Sequence, residues 1–367
     1  MKLICEGLDL SDAVLKVSKA TAAKTTNPIL EGIKLKAEND KLILSATDLE
    51  LSIEKVINAD VKIEGECVVP GRFFTDFTKK LSNEKIELSL TNTNSLKVKY
   101  TDSEGFIQCL NNDEFPLFKN IDSPEQFKIT HKNFKDLINK TIFSVAMDDS
   151  RPILKGCLFE IHDNKITAVA LDGYRLAKVC KDISHSTAEF SFIIPARSLS
   201  EIGKMLDDSD NEITVNIQKN MLLVECVDIK IMTRLIDGDF INYNQVIPQN
   251  VTTTIKVNKN HLMNGIERAS LLSRFDKNNL VKLDIKENLL ILTSNSELGN
   301  IKENITVSIS GKDLMIAFNA RYLIDSLRVI DDEFVKLNFT SPIAPCTIVP
   351  DSSDECLYLI LPVRVVG

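Results

Sequence analysis

A chain of 367 residues with 44% hydrophobic and 26% charged residues is ordinary globular material, long enough for two or three domains. Its formal charge of -8 excludes a uniformly cationic coat, so a nucleic-acid partner would have to meet a segregated basic face. The eight cysteines never fall in a Cys-x-x-Cys spacing and the four histidines are scattered, which gives no zinc pattern, so the thiols read as small buried hydrophobes in a reducing cytosol.

The opening MKLICEGLDLSDA has only a short apolar run before Glu6, less than a signal-peptide core needs, and is expected to be retained. No uncharged apolar stretch approaches the roughly 18 residues that span a bilayer, so the expected location is cytoplasmic. From Leu8, LDLSDAVLKVSKAT has apolar residues near i, i+3, i+4 and i+7 and predicts a helix. KLILSATDLELSIEKV from Lys41 then alternates at Leu42-Leu44 and Leu49-Leu51-Ile53, the pattern of half-buried antiparallel strands. A second helix follows in CVVPGRFFTDFTKKL from Cys67, and EKIELSL from Glu84 returns to strand.

The same series then recurs. A helix in HKNFKDLINKTIFSV from His131 precedes KITAVALDGYRLAKVC from Lys165, FIIPARSLSEIGKML from Phe192 and NEITVNI from Asn211. A further helix in NKNHLMNGIERASLL from Asn258 precedes LLILTSNSELGNIKENI from Leu289, IAFNARYLIDSLRVI from Ile316 and EFVKLNF from Glu333. Asp48 to Pro70 is 22 positions, Asp172 to Pro195 is 23 and Ser296 to Asn319 is 23, so one unit repeats in near register. The prediction is an α+β chain of three tandem copies, two helices on antiparallel strands each, at 1–121, 128–247 and 252–367.

The second helix of each copy carries a basic pair seven residues apart and hence on one side: Arg72 and Lys79, Arg197 and Lys204, Arg321 and Arg328. Lys80 adjoins the first pair. The first helices add Lys16 and Lys19, Lys132, Lys135 and Lys140, then Arg268 and Arg274, with Lys24 in a loop. On any single helix this would be a solvated outer face; its recurrence in an acidic chain points to phosphate contact. No aromatic interleaving supports single-strand stacking, so contact with a duplex backbone fits better.

Catalytic patterns are weak. Gly311-Lys312-Asp313 lacks the rest of a P-loop, and no G-x-S-x-G elbow occurs. Alternation would put Asp48 and Glu50 on one face of a strand, with Asp172 equivalent in the second copy, which leaves a metal-dependent nuclease as a rival reading. The third copy has Ser296 at that place, and a turn role explains all three without chemistry. No metal or cofactor is expected.

ATDLE at 46–50, LDGYRLA at 171–177, FPLF at 115–118 and LPVR at 361–364, set in a threefold repeat of this length, closely resemble the DNA polymerase III beta subunit family, the bacterial sliding clamps. The resemblance implies a non-catalytic subunit of the polymerase holoenzyme: a head-to-tail homodimer closed around duplex DNA that tethers the replicative polymerase. Twelve inner helices at about 9 Å spacing form a circle about 34 Å across, leaving more than about 22 Å, enough for a duplex. It further implies a groove between the second and third copies for short peptides of the polymerase alpha subunit, the clamp loader, other DNA polymerases and repair proteins. Matching positions are Arg151, Leu154, Leu171, Gly173, Tyr174, Arg175, Leu176, Val246, Pro345, Leu359, Ile360, Leu361, Pro362, Val363, Arg364 and Val365.

By the same resemblance Lys24, Arg72, Lys79, Arg197, Lys204, Arg321 and Arg328 face DNA, and Phe106 meets Leu271 and Leu272 of a partner copy. Plain strand core is the competing role for Leu176, Leu359 and Leu361, and a DNA-independent peptide scaffold is a further rival. Family members often have His at Tyr174, Pro at Ile241 and Arg at Gln245, so the groove rim is expected to differ here. Val366 and Gly367 have no assigned role.

Overall fold

A computed structural model of the chain describes residues 1–116, 118, 121, 125–273 and 279–364. It divides into two compact units, residues 1–131, 184–188 and 204–235 in the first, and 132–183, 189–203 and 236–367 in the second. No described helix is long and apolar enough to cross a membrane.

The first unit contains two antiparallel sheets. One has five strands in the order Asp60–Ile63, Lys2–Glu6, Lys85–Leu90, Ser95–Tyr100 and Ser103–Gln108. The other has nine: His185–Ser186, Glu125–Thr130, Glu212–Gln218, Met221–Glu225, Ile229–Arg234, Leu51–Asn58, Lys41–Thr47, Gly32–Glu38 and Gly65–Pro70. Helices α1 (Gly7–Val17) and α2 (Gly71–Thr78) pack together. The spacing predicted for α1 holds, since Leu10, Ala13, Val14 and Val17 form its buried stripe. Phe74 of α2 is fully buried; truncating such a side chain to Ala costs about 3 to 5 kcal/mol. α2 ends at Thr78, with Lys79 as its C-cap and Lys80 beyond it, so the helix is shorter than the basic run suggested.

The second unit has the complementary arrangement. Its nine-stranded sheet runs Phe190–Pro195, Gly156–His162, Lys165–Leu171, Arg175–Asp182, Cys356–Ile360, Cys346–Pro350, Phe334–Phe339, Thr253–Asn258 and Ser308–Gly311. A four-stranded sheet runs Gly299–Thr306, Leu289–Ser296, Leu280–Lys286 and Leu314–Asn319. The remaining helices are α3 (His131–Asn139), α4 (Ala196–Met205), α5 (Lys259–Ser273) and α6 (Ala320–Arg328). Asn258 and Asn319 cap α5 and α6 through their side-chain oxygens, at 3.1 Å from the His261 N–H and 3.0 Å from the Arg321 N–H. Gly265 lets α5 approach the sheet, since a Cβ there would lie 2.9 Å from the Ile305 side chain.

Each nine-stranded sheet joins a five-strand half to a four-strand half. The joining strands are Ile229–Arg234 against Leu51–Asn58 in the first unit, and Cys356–Ile360 against Arg175–Asp182 in the second. Met232 stands opposite Ser52 and Leu359 opposite Leu176, and Ser52 and Leu176 are 124 residues apart, like Asp48 and Asp172. The register at the two junctions is therefore the same. Among the described residues the five-stranded and four-stranded sheets are the same halves without a mate, ending in the open edges Ser103–Gln108 and Gly299–Thr306.

Candidate functional site: an apolar groove and three basic helix faces

The turn between strands Lys165–Leu171 and Arg175–Asp182 organises the groove residues. Asp172 Oδ1 accepts the backbone N–H groups of Tyr174 at 2.9 Å and Arg175 at 3.0 Å, and Gly173 between them takes φ of 90°, a left-handed conformation that favours glycine. Arg175 is nearly buried. Its Nε donates to Asp172 Oδ2 at 3.0 Å and its Nη1 to Asp325 Oδ2 of α6 at 2.7 Å. Its guanidinium carbon also lies 4.6 Å from the Tyr322 ring centroid and 5.5 Å from that of Phe143. One charge-assisted hydrogen bond to each of two carboxylates, together with the ring contacts, fixes this buried cation geometrically.

Leu154, Leu171, Leu176 and Leu359 fall in one buried cluster with Tyr243 and Ile193, flanked by partly buried Ile153, Ile236, Phe240 and Ile247. They are buried core residues, the strand-core role that competed with the groove for Leu176 and Leu359. Burial raises the Tyr243 phenol above its ordinary range, and the hydrogen bond to the Glu160 carboxylate raises it further. Ile360 pairs with Arg175 and is fully buried on the sheet face opposite Leu359. Tyr174 is 62% exposed and stacks on Tyr322 at 6.4 Å between centroids, while Val246 and Leu361 are also exposed.

The chain end is stitched in place by two backbone bonds, Leu361 N–H to Tyr174 O at 2.9 Å and Val363 N–H to Ala317 O at 2.8 Å. Pro362, Val363 and Arg364 then line a hollow of about 420 Å3 with Met315, Ile316, Pro342 and Ile343. Gly173, Arg151 and Arg364 are exposed and Pro345 is half-buried; Val365, Val366 and Gly367 lie outside the described residues. Tyr322, Asp325, Phe143, Met315 and Ile343 belong to these surroundings, although sequence reasoning did not single them out as part of a groove. Their contacts join residues up to 150 positions apart, which no local pattern signals.

All seven cations assigned to a DNA-facing role, Lys24, Arg72, Lys79, Arg197, Lys204, Arg321 and Arg328, are exposed. Among the described residues, Lys79, Arg321 and Arg328 have only long contacts to carboxylates, at 3.7, 3.8 and 3.6 Å from Asp76, Asp325 and Glu267, and such exposed pairs are weak. Two other cations are held closely: Arg268 of α5 donates twice to Glu303 at 2.8 and 2.7 Å, and Lys140, one residue past α3, reaches Asp331 at 2.7 Å. Arg274 lies outside the described residues.

Phe106 is 60% exposed on the open edge strand Ser103–Gln108, with Lys97 Nζ 5.5 Å from its ring centroid. Leu271 is exposed and Leu272 half-buried in the last turn of α5. The carboxylates of the nuclease reading have other tasks. Asp48 and Glu50 sit in the turn before strand Leu51–Asn58, not along one strand face as the alternation suggested, and Asp48 Oδ1 accepts the N–H groups of Glu50 at 3.0 Å and Leu51 at 2.8 Å. Ser296 Oγ accepts the Leu298 N–H at 3.2 Å in the corresponding turn. These are turn caps repeated three times.

All eight cysteines are free, six of them buried. Among the described residues His162, Asp163 and Glu189 do bring three potential metal-ligand atoms together, which sequence spacing did not indicate; all three are exposed, and carboxylates already contact both ring nitrogens.

Family models agree with this architecture along nearly the whole chain. The N-terminal, central and C-terminal domains of the DNA polymerase III beta subunit match residues 1–119, 128–242 and 244–364. The beta sliding clamp of Staphylococcus epidermidis is 33% identical over 356 residues, covering 94% of each chain. A DNA polymerase sliding clamp from Bacillus subtilis superposes with a TM-score of 0.96 at 31% identity, covering 100% of both chains. A sliding clamp from Pseudomonas aeruginosa, solved bound to griselimycin, gives 0.95 at 26% identity, again over 100% of both. The turn caps, the threefold repeat and these matches have one reading: the chain belongs to the DNA polymerase III beta subunit family, the sliding clamps.

Proposed function

We propose that this chain works as a homodimeric ring around duplex DNA, a processivity subunit without catalysis of its own. The observation that carries the homodimer is the pair of open sheet edges. Strand positions 124 apart make Asn300 the equivalent of Ser52 and Leu176. Following the hairpins outward, Leu96 pairs with Ile107, Leu222 with Thr233 and Cys346 with Ile360, so Phe106 takes the place of Met232 and Leu359. Joining Ser103–Gln108 of one copy to Gly299–Thr306 of another in the junction register would set Phe106 opposite Asn300 and Glu104 opposite Lys302. The first-unit junction has the same charge pairing with signs exchanged, Lys230 opposite Glu54. Such a head-to-tail contact closes into a ring when the rotation permits.

Domains at 1–121, 128–247 and 252–367 then give each dimer six copies of the fold. Exposed Arg72, Lys79, Arg197, Lys204, Arg321 and Arg328, with Lys24, supply weak sequence-independent attraction to phosphates. Topology, not affinity, retains the ring. The second-unit groove takes short peptides from the polymerase alpha subunit, the clamp loader and other DNA polymerases or repair proteins, with apolar side chains over Leu171, Leu176 and Leu359 and the rim set by Tyr174, Arg175 and Leu361. A cytoplasmic location fits a protein that meets chromosomal DNA.

Primer extension on a primed single-stranded circle by the replicative polymerase and loader tests the tethering role. Products should lengthen severalfold when the chain is added. Unchanged product length with loader and polymerase both active would contradict it.

A further inference from the structure

A second groove lies wholly within the first unit, with a volume of about 720 Å3. Leu49, Phe115, Phe118, Ile121, Met221 and Met232 are the larger residues of its apolar lining, and Arg234 is the one charged residue of that lining among the described residues. By the repeat, Leu49 and Met232 hold the places that Gly173 and Leu359 hold in the second unit. The chemistry differs. Thr47 and Ser52 replace Leu171 and Leu176, and their hydroxyls hydrogen-bond to each other at 2.7 Å in a buried position.

Leu49 takes φ of 75°, where glycine stands in the second unit, yet 59% of its surface remains exposed. A bulky residue held in that conformation is strained, and here the strain keeps an apolar side chain at the groove instead of burying it. Arg234 is exposed and has no carboxylate partner among the described residues. Gln218 and Asn220, also exposed, add side-chain amides that can donate to and accept from a peptide backbone.

We propose that this first-unit groove binds an extended peptide segment of a partner protein that carries bulky apolar side chains next to a carboxylate. The apolar side chains lie against Leu49, Phe118 and Met232, and the carboxylate pairs with Arg234. A volume in the usual range for ligand sites, about 300 to 1,000 Å3, accommodates two or three such side chains. The lone guanidinium sets the charge preference, and the Thr47–Ser52 hydroxyl pair separates this specificity from that of the second unit, where Leu171 and Leu176 hold those two places. The inference does not depend on the second-unit groove taking peptides.

The test uses the full chain carrying Tyr174→Ala, which disables the second-unit rim, and two pools of fluorescein-labelled pentapeptides. Both pools have Phe, Leu or Met at the second and fourth positions; one has Asp at the third and the other Lys. Fluorescence anisotropy should show the Asp pool binding at least tenfold more tightly than the Lys pool. Adding Arg234→Glu should weaken the Asp pool at least tenfold, and Leu49→Asp, a second exposed substitution, should also weaken it. Equal binding of the two pools, binding of neither, or Asp-pool binding untouched by both substitutions would overturn the proposal. So would a change in sedimentation mass with Arg234→Glu, which would make the groove a contact between copies.

Discussion

Arg175 donates to Asp325 across 150 residues of sequence, at 2.7 Å, and this bond ties the turn after strand Lys165–Leu171 to helix α6. The side chains of Arg175, Asp172 and Asp325 are only 9%, 14% and 19% exposed, so removal of the cation strands two poorly solvated carboxylates. Arg175→Ala should therefore lower stability by about 3 to 5 kcal/mol, the size expected when one partner of a largely buried pair is lost. The same substitution should abolish binding of a polymerase-derived peptide while the dimer persists. Denaturant titration and calorimetry read the two effects separately; unchanged peptide affinity would remove Arg175 from the groove.

Deleting residues 361–367 removes Leu361 and Val363, whose N–H groups hold the chain end against Tyr174 and Ala317. Strand Cys356–Ile360 stays paired to Arg175–Asp182. Peptide binding should be lost with little change in secondary structure or dimer mass, and retention of full affinity in calorimetry would count against the groove wall.

Ring closure predicts a charge exchange. Glu104→Lys alone would face Lys302 of the other copy and should raise the dimer dissociation constant about fivefold to tenfold, as would Lys302→Glu, since one exposed charge pair is worth about 1 kcal/mol. The two substitutions together should restore it. Sedimentation equilibrium distinguishes this from a local effect: two independent, additive weakenings would mean that the residues do not meet. Leu272→Asp should weaken closure further, and a dimeric mass retained at low micromolar concentration would contradict that.

Arg72→Glu, Arg197→Glu and Arg321→Glu change exposed side chains and should leave folding and dimer mass intact. Association with linear duplex at low salt should weaken, with the log–log salt slope falling by roughly 0.9 for each phosphate contact removed. An unchanged slope would move the DNA contact to another face.

Much of this was legible in the residues. NEITVNI from Asn211 and EFVKLNF from Glu333, the copies of the EKIELSL strand, are strands at Glu212–Gln218 and Phe334–Phe339, and the helical spacing from Leu8 is α1. Alternation misread Leu49: the Asp48 cap turns the chain there, and the strand starts at Leu51. The basic run beyond Thr78 extended α2 on paper but not in space. Leu357 to Leu361 reads as a final strand, and the structure has Cys356–Ile360. Long-range partners were invisible, because Tyr322 and Asp325 look like any amphipathic helix positions until α6 sets them against Arg175. The open edges were equally hidden, since an unpaired strand has the same alternation as a paired one.

The central claim is topological, and retention on circular DNA tests it most directly. The chain should be loaded on a nicked circular plasmid, separated from free protein by gel filtration at about 150 mM salt, and followed after linearisation by a single-cutting nuclease. The account predicts that the chain co-elutes with the circle and leaves the linear form within minutes. Equal retention on linear and circular DNA, or none on either after loading, would contradict it.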